Sequence, residues 1–143
     1  MDCSIISELH LHTLSSGIPA LPSNKAAQRM EACVWCLLEC QHANGVLMVV
    51  TEKETDTQYR ILWREEDIDR DALFRGYNED DGPEHGAEAI ALLLIRERTD
   101  YTAVNRSAKT TGIDYWLGYK TTANNQIFSV RDARLEISTF HRI

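Results

Sequence analysis

The sequence predicts an α+β domain in which a central mixed β-sheet is flanked by helices. Two observations carry this prediction. Apolar residues recur at helical spacing in long segments, and short runs rich in Val, Ile, Tyr and Trp have the composition of strands. The predicted order is a helix, a hairpin, two helices and then strands, which is typical of α+β proteins. At 143 residues the chain is long enough to bury a core of its own.

The boundary of the predicted domain falls after residue 22. Residues 1–22 are weakly patterned and contain Gly17, Pro19 and Pro22, so we expect an extended or loose N-terminal arm. No repeat, low-complexity run or later linker divides the rest of the chain. Residues 23–143 therefore predict a single α/β domain.

The first part of this domain predicts a helix and a hairpin. A Ser-Asn pair caps a helix over residues 23–41, and Asn44 and Gly45 close it. Residues 46–50 form a continuous apolar run and residues 58–63 alternate between polar and apolar, with a polar turn between them. Two such runs joined by a short turn favour a β-hairpin.

The second part predicts two helices followed by strands. Its long helix has an apolar side that consists of Ala87, Ile90, Ala91, Leu94 and Ile95. The predicted elements are, in order, a short polar helix over residues 66–77, a loop at 78–83, the long helix over 84–98, a strand at 101–104, a strand at 114–118, a turn at 121–126 with a strand extension at 127–128, and a strand at 133–138.

Composition and charge limit the partners that we expect. The formal net charge is -7, whereas proteins that bind nucleic acid through its phosphates usually present a basic surface, so tight unaided binding of nucleic acid is not favoured. No apolar run approaches the roughly 20 residues that cross a bilayer. The first residues lack the basic and apolar regions of a signal peptide. We therefore expect a cytoplasmic protein without a membrane partner.

Cysteines and histidines offer weaker candidates for a site. Cys33, Cys36 and Cys40 share one face of the first predicted helix, and with His42 they suggest a zinc site. The apolar residues between them favour burial as small core residues instead. A second set consists of three histidines that could act as metal ligands or as a catalytic base: His10, His12 and His85. The alternative is that they are ordinary surface histidines.

The strongest candidate site is formed by acids inside apolar segments. Residues 112–118 read Gly-Ile-Asp-Tyr-Trp-Leu-Gly, and residues 133–138 read Ala-Arg-Leu-Glu-Ile-Ser. A carboxylate buried in such a strand is costly unless something pairs with it. Asp114 and Glu136 on neighbouring strands, with Glu88 from the long helix, would hold Mg²⁺ together with several waters. The alternative is that Asp114 caps or turns a strand end and Glu136 pairs with Arg134 or Arg106 on a solvated face.

These motifs resemble those of a known superfamily. The motifs occur in the order that is typical of the PD-(D/E)XK nucleases, which they resemble: Glu88 on a helix, Asp114 on a strand and Glu-Ile-Ser over residues 136–138 on the next strand. The sequence of residues 86–138 also resembles a family of uncharacterised bacterial proteins. The resemblance implies a restriction-endonuclease-like fold and Mg²⁺-dependent cleavage of DNA. It assigns catalysis to Glu88, Asp114, Glu136 and Ser138, and metal ligation to the three acids.

Ser138 is where this sequence departs from the superfamily, which usually has a lysine at that position. The positive charge would then have to come from Lys109, Lys120 or Arg134. A second hypothesis follows from this difference. The chain is then a non-catalytic binding or assembly subunit that keeps the nuclease-like fold, and a protein partner or a second copy of the chain takes the place of DNA.

Overall fold

Three α-helices, six strands and two 3₁₀ helices, at Leu11–Ser15 and Glu65–Asp67, are found in the described part of the protein. The structure, a computed structural model, describes residues 5–80, 82–107, 114–120 and 133–138. The elements are β1 (Ser7–His10), α1 (Ser23–Glu39), β2 (Val46–Glu52), β3 (Thr55–Leu62), α2 (Arg70–Gly76), α3 (Gly82–Arg98), β4 (Tyr101–Arg106), β5 (Tyr115–Tyr119) and β6 (Ala133–Leu135). The α+β prediction is confirmed. The turn and strand extension predicted over residues 121–128 lie outside the described residues.

The strands form two small sheets rather than the single central sheet that the sequence predicts. In the first sheet, β3 lies between β1, to which it is parallel, and β2, to which it is antiparallel. In the second sheet, β4, β5 and β6 form an antiparallel meander. The chain passes through α2 and α3 between β3 and β4, and β4 then pairs with β5, the next strand that the structure describes, and not with β1 or β2 at the edges of the first sheet.

The described part of the N-terminal segment, residues 5–22, contributes to the core, so of the predicted extended or loose arm the loose alternative is corrected there. β1 pairs with β3, and a 3₁₀ helix follows it at Leu11–Ser15. Gly17 adopts a positive φ of 76°, so it marks a turn rather than a mobile link. Thr102 Oγ1 donates a hydrogen bond to the carbonyl of Gly17 at 2.9 Å. The buried apolar residues of the segment are Leu9, Leu11, Leu14, Ile18 and Leu21.

Helices α1 and α3 pack against each other at a glycine. A Cβ atom placed on Gly86 would lie 3.2 Å from the Cα of Cys33 and 3.3 Å from the carbonyl oxygen of Ala32. Helix α3 also contacts β4, so its burial is not confined to one stripe. Its predicted apolar side is therefore only half-buried, and the fully buried residues are Gly82, Gly86, Glu88, Ala89, Leu92 and Leu93. Among the described helices, none has the length and hydropathy required to cross a membrane.

The cysteines of α1 differ in their access to solvent. Cys33, Cys36 and Cys40 are free thiols; Cys33 is buried, Cys36 is half-buried, and Cys40 is exposed just after the helix ends. Burial and, to a smaller extent, the neighbouring thiol of Cys36 raise the pKa of Cys33 to about 12. Burial likewise raises the pKa of Cys36 to about 11.

We expect this burial to make the protein lose stability at alkaline pH. The thiol of Cys33 stays protonated in the folded state up to about pH 12, whereas an unfolded chain releases that proton above about pH 9. The folded state therefore binds more protons between these values, and the free energy of unfolding falls as the pH rises. Urea denaturation from pH 8 to 11 measures this effect, and the free energy of unfolding should fall less steeply with pH in Cys33→Ala than in the native chain. Cys40→Ala serves as the control and should follow the native slope.

Candidate functional site

An acidic cavity of about 310 Å³ lies where the start of α3 meets the start of β5 and the end of β6. Glu84 and Glu88 are one helical turn apart, so both face it from α3. Asp114 lies just before β5 and Ser138 lies three residues after β6, so both line the cavity from outside the strands in which the sequence placed them. Three of the four predicted site residues thus line one cavity. The lining as a whole is Glu79, Asp80, Pro83, Glu84, Glu88, Asp114, Ile137 and Ser138, and no basic residue is among the described residues that line it.

Glu88 is held inside the protein by an ion pair. Its side chain is 4% exposed, and that of Arg29 is 1% exposed. Nε of Arg29 donates to Oε2 of Glu88 at 2.9 Å, and the hydroxyl of Tyr115 donates to the same oxygen at 2.8 Å. Burial and the neighbouring carboxylate of Glu88 raise the pKa of Tyr115 to about 12. The carboxylate thus reaches the cavity from a position that α1, α3 and β5 fix together.

Arg29 is the functional neighbour that sequence reasoning missed. Its Nη1 donates to Oε1 of Gln28 at 3.0 Å, and its buried Nη2 has no hydrogen-bond partner among the described residues. The sequence did carry a signal for it. Arg29 follows Ala26 by three positions and precedes Cys33 by four, which places a charged residue within the apolar stripe of α1. An arginine in that position needs a buried acid as its partner.

Asp114 is hydrogen-bonded to residues at the ends of both outer strands of the second sheet, β4 and β6. Its Oδ2 accepts a hydrogen bond from the amide of Ile137 at 2.6 Å. Its own amide donates to the carbonyl of Leu135 at 2.9 Å, and its carbonyl accepts from the amide of Ser107 at 3.1 Å. These bonds are those of a residue that caps a strand end, which is the alternative that the sequence left open. The carboxylate lines the acidic cavity at the same time.

Glu136 does not line the acidic cavity. It follows the last residue of β6, and its side chain is exposed, whereas Leu135 and Ile137 on either side are half-buried against the core. Ser138 lines the cavity but is itself exposed. Within the described ranges, no group of three or more His, Cys, Asp or Glu side chains is arranged to hold a metal ion.

The basic residues considered as substitutes for the missing lysine lie elsewhere. Nζ of Lys120 donates to the carbonyl of Arg96 at 2.9 Å, and Arg96 lies about 12 Å along α3 from Glu88 at the usual helical rise. Arg134 is exposed on β6, opposite Trp116 of β5. Lys109 lies outside the described residues. The acidic cavity therefore has no described positive charge at its surface.

The predicted histidines lie away from the acidic cavity. Nε2 of His10 is 3.3 Å from Oε1 of Glu8. His12 lines a second cavity of about 170 Å³, together with the ion pair between Arg64 and Asp67. His85 is half-buried on α3 and is not among the residues that line the acidic cavity.

The donor atoms of the acidic cavity suit one mode of cation binding. Carboxylate oxygens are ligands of Mg²⁺, which usually keeps several waters and is held by one or two carboxylates. Asp114 and Glu88 both line the acidic cavity, while a cage of three direct side-chain ligands is not formed by the described residues. These two carboxylates are the number with which a mostly hydrated Mg²⁺ is usually held.

Comparison with known proteins adds no relative to this description. No protein-family model, no curated protein and no solved structure matches the chain. The function of the acidic cavity is therefore inferred from its own residues.

Proposed function

We propose that this protein is a nuclease-like domain of the PD-(D/E)XK type whose acidic cavity binds a hydrated divalent cation, Mg²⁺, and whose role is binding rather than cleavage. The observation that carries this proposal is the composition of the cavity, which brings five carboxylates together at one place with no described basic residue in its lining. Such a cavity attracts cations and repels the phosphates of a free nucleic acid.

The order of the elements supports the nuclease-like part of the proposal. Helix α3 is followed by the antiparallel meander of β4, β5 and β6, so that Glu88 lines the cavity from the helix, and Asp114 and Ser138 line it from the segments next to β5 and β6. This is the order of site residues that the resemblance to the superfamily implies. Restriction-endonuclease-like is therefore the fold that we propose for the segment from α3 to β6.

Three features of the acidic cavity support binding rather than cleavage. Ser138 has no positive charge with which to stabilise an attacked phosphate. Oε2 of Glu88 is already shared by Arg29 and Tyr115. Oδ2 of Asp114 already accepts the amide of Ile137. The carboxylates are thus fixed by the protein itself, and a bound cation would mainly neutralise the charge that they share.

A second candidate function is Mg²⁺-dependent hydrolysis of a phosphodiester. One observation favours it, because Glu88, Asp114 and Ser138 line a single cavity although they are far apart in the sequence. When bound there, a divalent cation would activate water and neutralise charge that develops on the phosphate. DNA is the substrate class that the resemblance implies for this candidate.

Titration calorimetry with MnCl₂, together with a plasmid cleavage assay in Mn²⁺ or Mg²⁺, separates the two functions. We expect Mn²⁺ binding without cleavage in the native chain. Asp114→Asn keeps an oxygen for the amide of Ile137 but removes the charge, so the dissociation constant for Mn²⁺ should rise about tenfold, which corresponds to about 1.4 kcal/mol. Glu97→Gln is the matched control, since Glu97 is an exposed acid at the other end of α3.

Three other outcomes of these assays would contradict the proposed binding function. Cleavage by the native chain that disappears in Asp114→Asn would establish the second candidate and reject a purely binding role. The absence of measurable Mn²⁺ binding in the native chain would reject both functions. An equal loss of affinity in Glu97→Gln would show that the ion responds to the overall charge of the protein and not to the acidic cavity.

A further inference from the structure

Among the strands that the structure describes, those at the sheet edges differ in how they are protected against pairing with another chain. Natural edge strands are usually short, charged, interrupted by proline or bent by a bulge. Strand β1 has four residues and includes a glutamate, β4 has a register shift between Ala103 and Asn105, and β6 has three residues and includes Arg134. Each of these three edges carries one or more of the usual protective features.

Strand β2 has only one of these features, a charge at its last residue, Glu52. It has seven residues and pairs with β3 in an unbroken register from Val46 opposite Ile61 to Glu52 opposite Thr55. Its first six residues contain neither a charge nor a proline. Its outward side chains are apolar as well, because Leu47 is 48% exposed and Val49 is 56% exposed. An edge strand that is long, regular, uncharged and apolar on its outer face is suited to pairing with a further strand.

We propose that β2 pairs antiparallel with β2 of a second copy of this chain, centred on Met48, so that the two first sheets join into one sheet of six strands. In this register Leu47 of each copy lies directly opposite Val49 of the other, on the outer face. Val46 lies opposite Val50 on the inner face, where both are half-buried against the core in the single chain. Directly opposed apolar residues on one face stabilise an antiparallel pair.

The distribution of charge argues for a second copy as the partner. Each chain has a net charge of -7, so two copies associate only where their charges stay apart. The paired stretch Val46–Val50 contains no charge in either copy. Glu52 lies beyond this stretch, and it already forms an ion pair with Arg98 at 2.7 Å. In a two-fold contact the same strand of each copy must pair with itself. Strand β2 meets this requirement, because its uncharged apolar residues face the same kind of residue in the second copy.

Sedimentation equilibrium of the full chain over a range of concentrations tests the proposal. We expect the native chain to approach twice its mass of 16.3 kDa as the concentration rises. Leu47→Lys and Val49→Glu should each remain monomeric, because a charge on an edge strand opposes pairing and the two-fold contact introduces that charge twice. Phe74→Lys is the matched control, since Phe74 is also an exposed apolar residue, 46% exposed, but lies on α2. It should associate as the native chain does.

A mixture of the two variants tests the register itself. In an equimolar mixture of Leu47→Lys with Val49→Glu chains, the introduced lysine of one chain faces the introduced glutamate of the other, so a heterodimer should form although neither variant dimerises alone. A native chain that stays monomeric at every concentration would overturn the proposal. So would dimers of the single variants, or a mixture that remains monomeric while both variants melt as cooperatively as the native chain.

Discussion

Replacing Arg29 by methionine is expected to lower the free energy of unfolding by about 3–5 kcal/mol, the usual cost of removing one partner from a buried ion pair. The reason is the position of Glu88, whose side chain is 4% exposed and whose Oε2 accepts the guanidinium at 2.9 Å. Without Arg29 this carboxylate keeps only the hydroxyl of Tyr115 as a described partner on that oxygen. Urea denaturation followed by tryptophan fluorescence measures the loss.

The double variant Arg29→Met/Glu88→Leu separates the ion pair from the packing around it. Removing both charges leaves no unpaired buried ion, so we expect stability to return to within about 1–2 kcal/mol of the native chain, with the remainder due to the unpaired hydroxyl of Tyr115. Arg98→Met is the control for a surface ion pair, and it should change stability much less than Arg29→Met. If the double variant is no more stable than Arg29→Met, the loss in Arg29→Met comes from disturbed packing around the methionine and not from the unpaired charge of Glu88.

The fold could be predicted from the sequence where the signal is local. Helices α1 and α3 and strands β2 and β3 begin and end within a few residues of their predicted bounds, because the periodicity and the turn between the strands lie within each segment. The predicted cap by Ser23 or Asn24 is wrong, since Pro22 occupies the N-cap position of α1 and no side chain caps the helix there. The N-terminal segment has no such signal. It passes from a strand to a 3₁₀ helix within nine residues, so neither period is repeated, and its partner β3 lies some 50 positions later along the chain.

The candidate site was predictable only in part for a similar reason. An acid inside an apolar run is visible in the sequence, and Glu88 and Asp114 do line one cavity. Strand alternation places Glu136 and Ser138 on one face, but it does not say which of them reaches the cavity after β6 has ended. The pairing of Arg29 with Glu88 joins residues 59 positions apart, and it depends on how α1 packs against α3. No local pattern encodes that distance.

The contact between α1 and α3 leads to the second large effect, in Gly86→Leu. A Cβ at this position would lie 3.2 Å from the Cα of Cys33 and 3.3 Å from the carbonyl oxygen of Ala32, both of which are backbone atoms. A leucine therefore has to push the two helices apart. We expect a loss of about 3 kcal/mol from overpacking, reduced by up to about 1 kcal/mol because leucine favours the helix more than glycine does. Thermal and urea denaturation measure the net change.

Gly76→Leu provides the matched comparison, because among the described residues no atom beyond its chain neighbours and its own helix backbone lies within 4 Å of the corresponding Cβ position at the end of α2. It should change stability by no more than about 0.5 kcal/mol, as is usual for surface positions. Gly86→Ala should fall between the two, since a single methyl group requires a shift of only a few tenths of an ångström. The separation of the helices would also move Arg29 away from Glu88, so Gly86→Leu and Arg29→Met should be less than additive when combined. Full additivity would mean that the close approach at Gly86 and the buried ion pair stabilise the helix contact independently.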